Sequence, residues 1–214
     1  MERIICLVIG YALGNFQTAY IYGRLHGIDI REHGSGNAGT TNSLRVLGKK
    51  AGVIVLFGDI LKCAIAMFAA RALYGAGHQD IIYILVLYAA AGAILGHNFP
   101  IVLGFKGGKG IACTAALVLF YHPYLVPVGV ILFFATFFIT HYVSLGSLMV
   151  YAGFIVTMTI LCFTGALGSL TALQTVELLG ISLFLTVMAY VKHTENIKRL
   201  LAGTERKTYL SKKA

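Results

Sequence analysis

Three short stretches of this 214-residue chain hold most of the side chains able to do chemistry. The first is Gly34-Ser35-Gly36-Asn37-Ala38-Gly39-Thr40-Thr41-Asn42, with Arg45 and Gly48 beyond. Glycines without a Cβ let backbone N–H groups approach a ligand, and a helix beginning after such a loop suits an anion. The spacing predicts a short helix over 37–47, closed by Gly48, with Arg45 offering a guanidinium fork to phosphate. Gly34, Gly36 and Gly39 also match GxGxxG. Residues 28–33 do not read as a buried strand, however, so a dinucleotide fold is rejected. The plain alternative is a flexible loop that caps a helix.

The second stretch is Gly96-His97-Asn98-Phe99-Pro100 followed by Gly104-Phe105-Lys106-Gly107-Gly108-Lys109-Gly110. It fails as a Walker loop, because Gly110 stands where the magnesium-holding Ser or Thr belongs. What remains is a glycine-rich turn with two lysines before an apolar helix at Ile111, which again suits phosphate. The alternative is a cytoplasmic loop that is basic only for topological reasons. The third stretch is His193-Thr194-Glu195-Asn196-Ile197-Lys198-Arg199, with Gly203 and Glu205 after it. On a helix continuing inward from the last apolar run, His193 and Asn196 share a face. A His there can position a phosphate or move a proton; the alternative is an interfacial His in a basic tail.

The elements that must position these groups are apolar. The chain is 58% hydrophobic and 12% charged, and no Asp, Glu, Lys or Arg occurs from Gly110 to Val176. A membrane span needs about 20 apolar residues, and a soluble fold cannot cover its surface from such a stretch. A soluble enzyme, a disordered chain and a disulfide-stapled module are excluded, and β-barrel strands would alternate apolar with polar residues. The fold expected is all-α, a polytopic transmembrane bundle and a single domain over 1–214. Its hydrophobic helices number about seven, at 4–22, 51–74, 81–95, 111–121, 125–140, 142–163 and 174–191. The fourth is short. It is either a half-helix or fuses across Pro123 with the fifth, which would leave five or six full crossings. The first is read as a retained helix, since polar Asn15 and Gln17 stand where a cleavable signal wants small residues.

With seven crossings, 14 of the 17 Lys and Arg residues, Lys212 and Lys213 among them, fall in 24–50, 96–110 and 192–214. The positive-inside rule then puts those three segments in the cytoplasm and the amino terminus outside. This topology accounts for nearly all of the net charge of +9, which can also attract anionic substrates or lipid. Intramembrane Asp59 and Lys62 are either a buried structural pair or the floor of the polar site. His122 and His141 are expected at the interface, Gly10 and Gly14 in helix packing, and the four cysteines in apolar packing. No metal-ligand set is visible.

Taken together, the three segments resemble the bacterial membrane acyl-phosphate:glycerol-3-phosphate acyltransferases, the PlsY type. Gly34–Asn42 with Arg45 matches that family's first motif. Gly96–Pro100 and Phe105–Gly110 match its second; His193–Leu200, Gly203 and Glu205 match its third. Ala38, Thr40 and Cys113 are small departures that remove no polar side chain. The resemblance spans nearly the whole chain. It implies transfer of an acyl group from acyl phosphate to the 1-hydroxyl of sn-glycerol 3-phosphate, giving 1-acylglycerol 3-phosphate and phosphate, the first step of phospholipid synthesis.

It also implies roles. Ser35, Lys109, His193 and Asn196 are the expected catalytic residues. Gly34, Gly36, Asn37, Asn42, Arg45, His97, Lys106, Gly107, Gly108, Gly110 and Glu205 are expected to bind substrate. Ser35, Gly107, Gly108 and Lys109 would hold the acyl phosphate's phosphoryl group, and Arg45, Asn37 and Asn42 would seat glycerol phosphate. The base is either His193 or a phosphate oxygen of the donor. No cofactor, metal or nucleic acid is expected. The expected partners are glycerol 3-phosphate, acyl phosphate, membrane lipid and, as a further candidate, the enzyme that makes acyl phosphate. The place expected is the bacterial inner membrane, with the active site on the cytoplasmic side. A transporter of a phosphorylated metabolite would use similar glycines but should show an internal repeat, and none is found. A scaffold with a basic face leaves Ser35, Asn37, His193 and Asn196 unexplained.

Overall fold

Apolar runs this long leave the backbone no partner but itself, and so they fold as helices. The computed structural model describes residues 1–209, and Lys212 and Lys213 lie outside them. In order come α1 (Glu2–Gly14), α2 (Thr18–Leu25), α3 (Thr40–Leu47), α4 (Lys49–Tyr74), α5 (Ile82–Asn98), α6 (Ile111–Phe120), α7 (Leu125–Thr140), α8 (Val143–Phe163), α9 (Ala172–Lys192) and α10 (Thr194–Leu201). Single 3-10 turns occur at Ile30–Glu32 and Ile101–Leu103, and no strand occurs among the described residues. Five segments are long and apolar enough to cross a membrane: Glu2–Leu25, Lys49–Tyr74, Ile82–Leu103, Val143–Phe163 and Ala172–Lys192. With the shorter α6 and α7 they make the seven apolar elements expected.

One of those elements differs from its expected form, and the alternative left open for another is decided. The first is broken between α1 and α2. Asn15 Nδ2 donates to Tyr11 O, and its Oδ1 accepts from Ile101 N at 2.8 Å. Gln17 Nε2 reaches the carbonyls of Gly14, Gly96 and His97. These amides replace the helical bonds lost at the break, which the membrane demands. The fourth does not fuse with the fifth. Arg71 Nη1 and Nη2 donate to the carbonyls of Phe120 and Tyr121, both at 2.9 Å, and close α6 at its carboxyl end. At 1.5 Å per residue the ten residues of α6 reach about 15 Å, half of a hydrocarbon core about 30 Å thick.

Close approach of backbones holds the bundle together, since lipid tails supply little hydrophobic drive between helices. A Cβ on Gly10 would overlap Ala89 O, and one on Gly14 would overlap Ala93 O. The facing helix answers in kind, because a Cβ on Gly92 or Gly96 would overlap Leu7 O or Tyr11 O. Hence α1 and α5 are in backbone contact along their length. Side chains at the centre (Ile84, Leu87, Leu117, Phe154, Met158) are fully buried. Outward, Phe57, Leu61, Ile139 and Phe163 are exposed, an apolar belt suited to lipid. The four cysteines are free and buried. His122 is also buried, against Tyr83 and Tyr124, and His141 closes α7 in a left-handed conformation.

Polar groups gather at the two ends of the bundle. At one end Arg3 Nε pairs with Glu177 Oε1 at 2.5 Å, with Tyr88 donating to the same oxygen at 3.0 Å. At the other end the segments before α3, before α6 and after α9 come together.

Candidate functional site

Those three segments enclose one cavity of about 710 Å³. Its first wall is the loop leading into α3. Gly34 (φ +64°) and Gly36 (φ +71°) take left-handed conformations that ordinary residues rarely adopt. Asn42 fixes the loop from inside: its Oδ1 accepts from Ser35 N at 2.8 Å, and its Nδ2 donates to the carbonyls of Ile30 and His33. Gly36 N donates to His33 O, and Gly39 N to Asn37 O. The loop amides of Ser35, Gly36 and Gly39 are therefore already engaged. The expected helix over 37–47 begins only at Thr40, because Gly39 is extended (φ −156°, ψ 175°). The first internal bond at the start of α3 is Ser43 N to Gly39 O, which leaves the N–H groups of Thr40, Thr41 and Asn42 free of helical acceptors, an arrangement that suits an anion.

The second wall is the turn before α6. Gly110 (φ +77°) starts the helix, and the first bond is Thr114 N to Gly110 O. The N–H groups of Ile111, Ala112 and Cys113 are thus free of helical acceptors. Gly107, Lys109 and Gly110 line the cavity. Gly108 does not. Its N–H donates to His97 O at 3.0 Å, and a Cβ there would overlap His97 Nε2. Lys106 is exposed and also stands outside the cavity. The structure does not bring these two to the site.

The third wall is the joint between α9 and α10. The helix does not continue through as expected, for His193 (φ −101°, ψ 8°) ends α9 and precedes α10. His193 and Asn196, at and just after this break, both line the cavity. His193 Nδ1 lies 2.7 Å from Ala189 O. A carbonyl only accepts, so Nδ1 carries the proton and Nε2 keeps its lone pair. Burial pushes the pKa of this imidazole down to about 4, so the ring is neutral at pH 7.

Side chains knit the walls together. Lys109 Nζ donates to Asn196 Oδ1. Asn196 Nδ2 donates to Glu205 Oε1 at 2.7 Å, as does Ser144 Oγ at 2.8 Å, and Arg199 Nε donates to Glu205 Oε2 at 2.7 Å. Burial alone would raise the Glu205 pKa. The hydrogen bonds from Asn196, Arg199 and Ser144 outweigh it and hold the carboxyl below its ordinary value. Burial and the nearby Arg199 push Lys109 down to about 8. Arg45 is lowered by burial and by the repulsion of Arg206. After α10 the chain folds back across the mouth, with Thr208 N bonded to His141 O at 2.9 Å, so that Arg206 and Thr208 line it too.

Of the expected site residues, Gly34, Ser35, Gly36, Asn37, Asn42, Arg45, His97, Gly107, Lys109, Gly110, His193, Asn196 and Glu205 line this one cavity. Asn42 and Glu205 do so with side chains occupied by neighbours, which makes them supports. Ser144, Arg199 and Lys192 also line it and had not been assigned to it, and so does Asp59. Ser144 lies in the charge-free half, where nothing in the sequence marks it. Asp59 was marked by its charge at membrane depth, and both readings of it hold: it pairs with Lys62 at 2.8 Å and it lines the cavity. Among the described residues no group of three or more His, Cys, Asp and Glu side chains forms a metal-ligand set.

Away from the cations the cavity turns apolar, along Leu56 and Ile60 of α4, Ala115 and Val118 of α6, and Val130 and Phe133 of α7. One continuous space therefore offers a cationic, amide-rich head and an apolar arm. An anionic headgroup with a hydrocarbon tail fits that pattern.

Residues 4–203 match the family model described as glycerol-3-phosphate acyltransferase. A glycerol-3-phosphate acyltransferase of Alkaliphilus metalliredigens is 40% identical over 208 residues, 97% of this chain and 96% of that protein. The crystal structure of PlsY (YgiH), an integral membrane glycerol 3-phosphate acyltransferase, is similar in its glycerol 3-phosphate form, with TM-score 0.81 and 30% identity over 98% of this chain and 96% of that one. Its lysophosphatidic acid form is similar with TM-score 0.78 and 29% identity over the same shares.

Proposed function

The chain belongs to the glycerol-3-phosphate acyltransferase family, and from that premise we propose that it moves an acyl group from acyl phosphate to the 1-hydroxyl of sn-glycerol 3-phosphate, releasing 1-acylglycerol 3-phosphate and orthophosphate. The observation that carries the reading is the single cavity in which two helix amino termini and a set of cations continue into an apolar arm. Two substrates with phosphate heads, one of them acylated, need such a space. The PlsY structures in glycerol 3-phosphate and lysophosphatidic acid forms support the acceptor and the product.

In this mechanism Lys109 and the N–H groups at the start of α6 hold the donor's phosphoryl group, with the Ser35 hydroxyl across from them. Arg45 and the start of α3 seat glycerol phosphate beside Asn37. The hydroxyl oxygen attacks the acyl carbon, forming the new C–O bond, and the C–O bond to phosphate breaks. The mixed anhydride is already activated, so positioning and charge stabilisation suffice and no acyl-enzyme is required. His193 Nε2 accepts the hydrogen bond of the attacking hydroxyl and orients it. Its pKa of about 4 makes it a weak base, so the proton ends on the departing phosphate, whose basicity grows as the bond breaks.

The whole chain acts as one domain in the bacterial inner membrane. The basic end of the bundle, and with it the site, faces the cytoplasm; the amino terminus faces outward. The test is to incubate purified protein and glycerol 3-phosphate with acyl phosphate, acyl-CoA or acyl carrier protein in turn. Orthophosphate and a monoacylated lipid are expected from the first alone. Product from a thioester donor, or none from acyl phosphate, overturns the proposal.

A further inference from the structure

Lys62 is buried within α4, and its ammonium meets three acceptors: Asp59 Oδ1 at 2.8 Å, Phe16 O at 2.7 Å and His97 Nδ1 at 2.9 Å. An ammonium has three N–H donors and accepts nothing. Two of its protons go to Phe16 O and His97 Nδ1, the Asp59 carboxylate is held beside it as an ion pair, and His97 must present Nδ1 as a lone pair. Asp59 Oδ1 lies 3.6 Å from Nδ1, too far to take a proton from it in a hydrogen bond. The ring proton of neutral His97 therefore sits on Nε2.

That Nε2 edge abuts Gly108. A Cβ at Gly108 would overlap Nε2 and stand 2.9 Å from Ala38 O, so ring, turn and first loop meet at one point. The backbone of the same histidine holds the same turn: Gly108 N donates to His97 O at 3.0 Å, and a Cβ on Gly107 would overlap that oxygen. The next residue is Lys109. An Asp–Lys pair three residues apart on one helix neutralises itself locally. Here the remaining protons of Lys62 reach out instead, one to the break between α1 and α2, the other to the ring beneath the turn.

We propose that Lys62 is a positioning residue for acyl transfer, which by donating to His97 Nδ1 fixes the Nε2–H tautomer and the angle of the His97 ring against Gly108, and so the turn that delivers Lys109 to the substrate. Its effect on turnover rests on the acyltransferase reading above; the tautomer does not.

The test uses full-length protein with ¹⁵N-labelled histidine, as wild type and as the Asp59→Asn/Lys62→Met double variant, which leaves no uncompensated buried charge. In the wild type, His97 Nδ1 should resonate as a bare nitrogen and Nε2 as a protonated one. In the double variant the two should average, kcat should fall about a hundredfold, as for a misplaced catalytic group, and the KM for glycerol 3-phosphate should stay within about threefold of wild type. Asp59→Asn/Lys62→Gln, which also leaves no buried charge but keeps an N–H donor at position 62, should recover part of the rate. A protonated Nδ1 in the wild type overturns the proposal, and decides the matter even if the double variant fails to fold. So does a double variant with wild-type kcat. A wild type that makes no product at all contradicts the acyltransferase reading instead, and the nitrogen signature then decides the His97 tautomer by itself.

Discussion

Lys109 donates directly to Asn196 across 87 residues of sequence. The contact joins the turn before α6 to the helix after α9, and Asn196 passes it on to Glu205, which in turn holds Arg199 and Ser144. The cation that the proposed mechanism sets on phosphate is thus aimed by a chain of hydrogen bonds anchored on a buried carboxylate. Lys109 gives up half of its charge near pH 8 rather than near 10.5.

Replacing Lys109 by Ala should lower kcat/KM at least about a hundredfold, the usual loss when a charge-stabilising donor is removed. The melting temperature in detergent should stay near that of wild type, because α6 does not need this side chain to form. A near-normal rate contradicts the phosphate role.

The same group sets an alkaline limit. In the proposed mechanism Lys109 binds phosphate only when protonated, and its folded pKa lies at about 8. Below that pH the ammonium is present and kcat/KM should be level. Above it kcat/KM should fall about tenfold per pH unit, since kcat/KM reports groups of the free enzyme. Lys109→Arg, charged at every accessible pH, should lose that limb. An unchanged limb in the Arg variant would assign it elsewhere.

His193 should add no acid limb between pH 7 and pH 5, for its imidazole becomes charged only near pH 4. His193→Ala should slow turnover by removing the acceptor that orients the hydroxyl. Full activity in that variant removes His193 from the reaction.

Glu205→Gln should act through its neighbours. Arg199 and Asn196 would lose a charged acceptor that now holds both within 2.7 Å. We expect KM to rise about tenfold, equivalent to about 1.4 kcal/mol, with a smaller change in kcat. A KM equal to wild type in initial-rate measurements would show the carboxylate to be dispensable.

Gly10→Val should destabilise the bundle by about 1–3 kcal/mol, the usual cost of forcing atoms into a packed interface. A Cβ there already overlaps Ala89 O. Thermal unfolding in detergent reads the loss, and the folded fraction should keep its kcat because Gly10 lies outside the cavity lining.

The seven apolar elements were legible because hydrocarbon length and absence of charge are local properties of the chain. The break at Asn15–Gln17 was not, since what stabilises it is distant: the carbonyls of Gly96 and His97 and the N–H of Ile101. Residue types revealed three anion-seeking segments, and their convergence is what the structure adds. Hydrogen-bond bookkeeping could not be read in advance. The amides of Ser35, Gly36 and Gly108 looked free in sequence, yet each is taken by a nearby oxygen, and the N–H groups without helical acceptors are those of the first turns of α3 and α6. Ser144 carries no signal at all, because one serine in a charge-free helix resembles any other.

Direct transfer inside one cavity is tested most plainly by initial rates measured while both substrates are varied, with the protein in lipid vesicles. If glycerol 3-phosphate and acyl phosphate lie together in the cradle, double-reciprocal plots should intersect, the mark of a ternary complex. Parallel lines, the ping-pong pattern of a covalent acyl-enzyme, would contradict it.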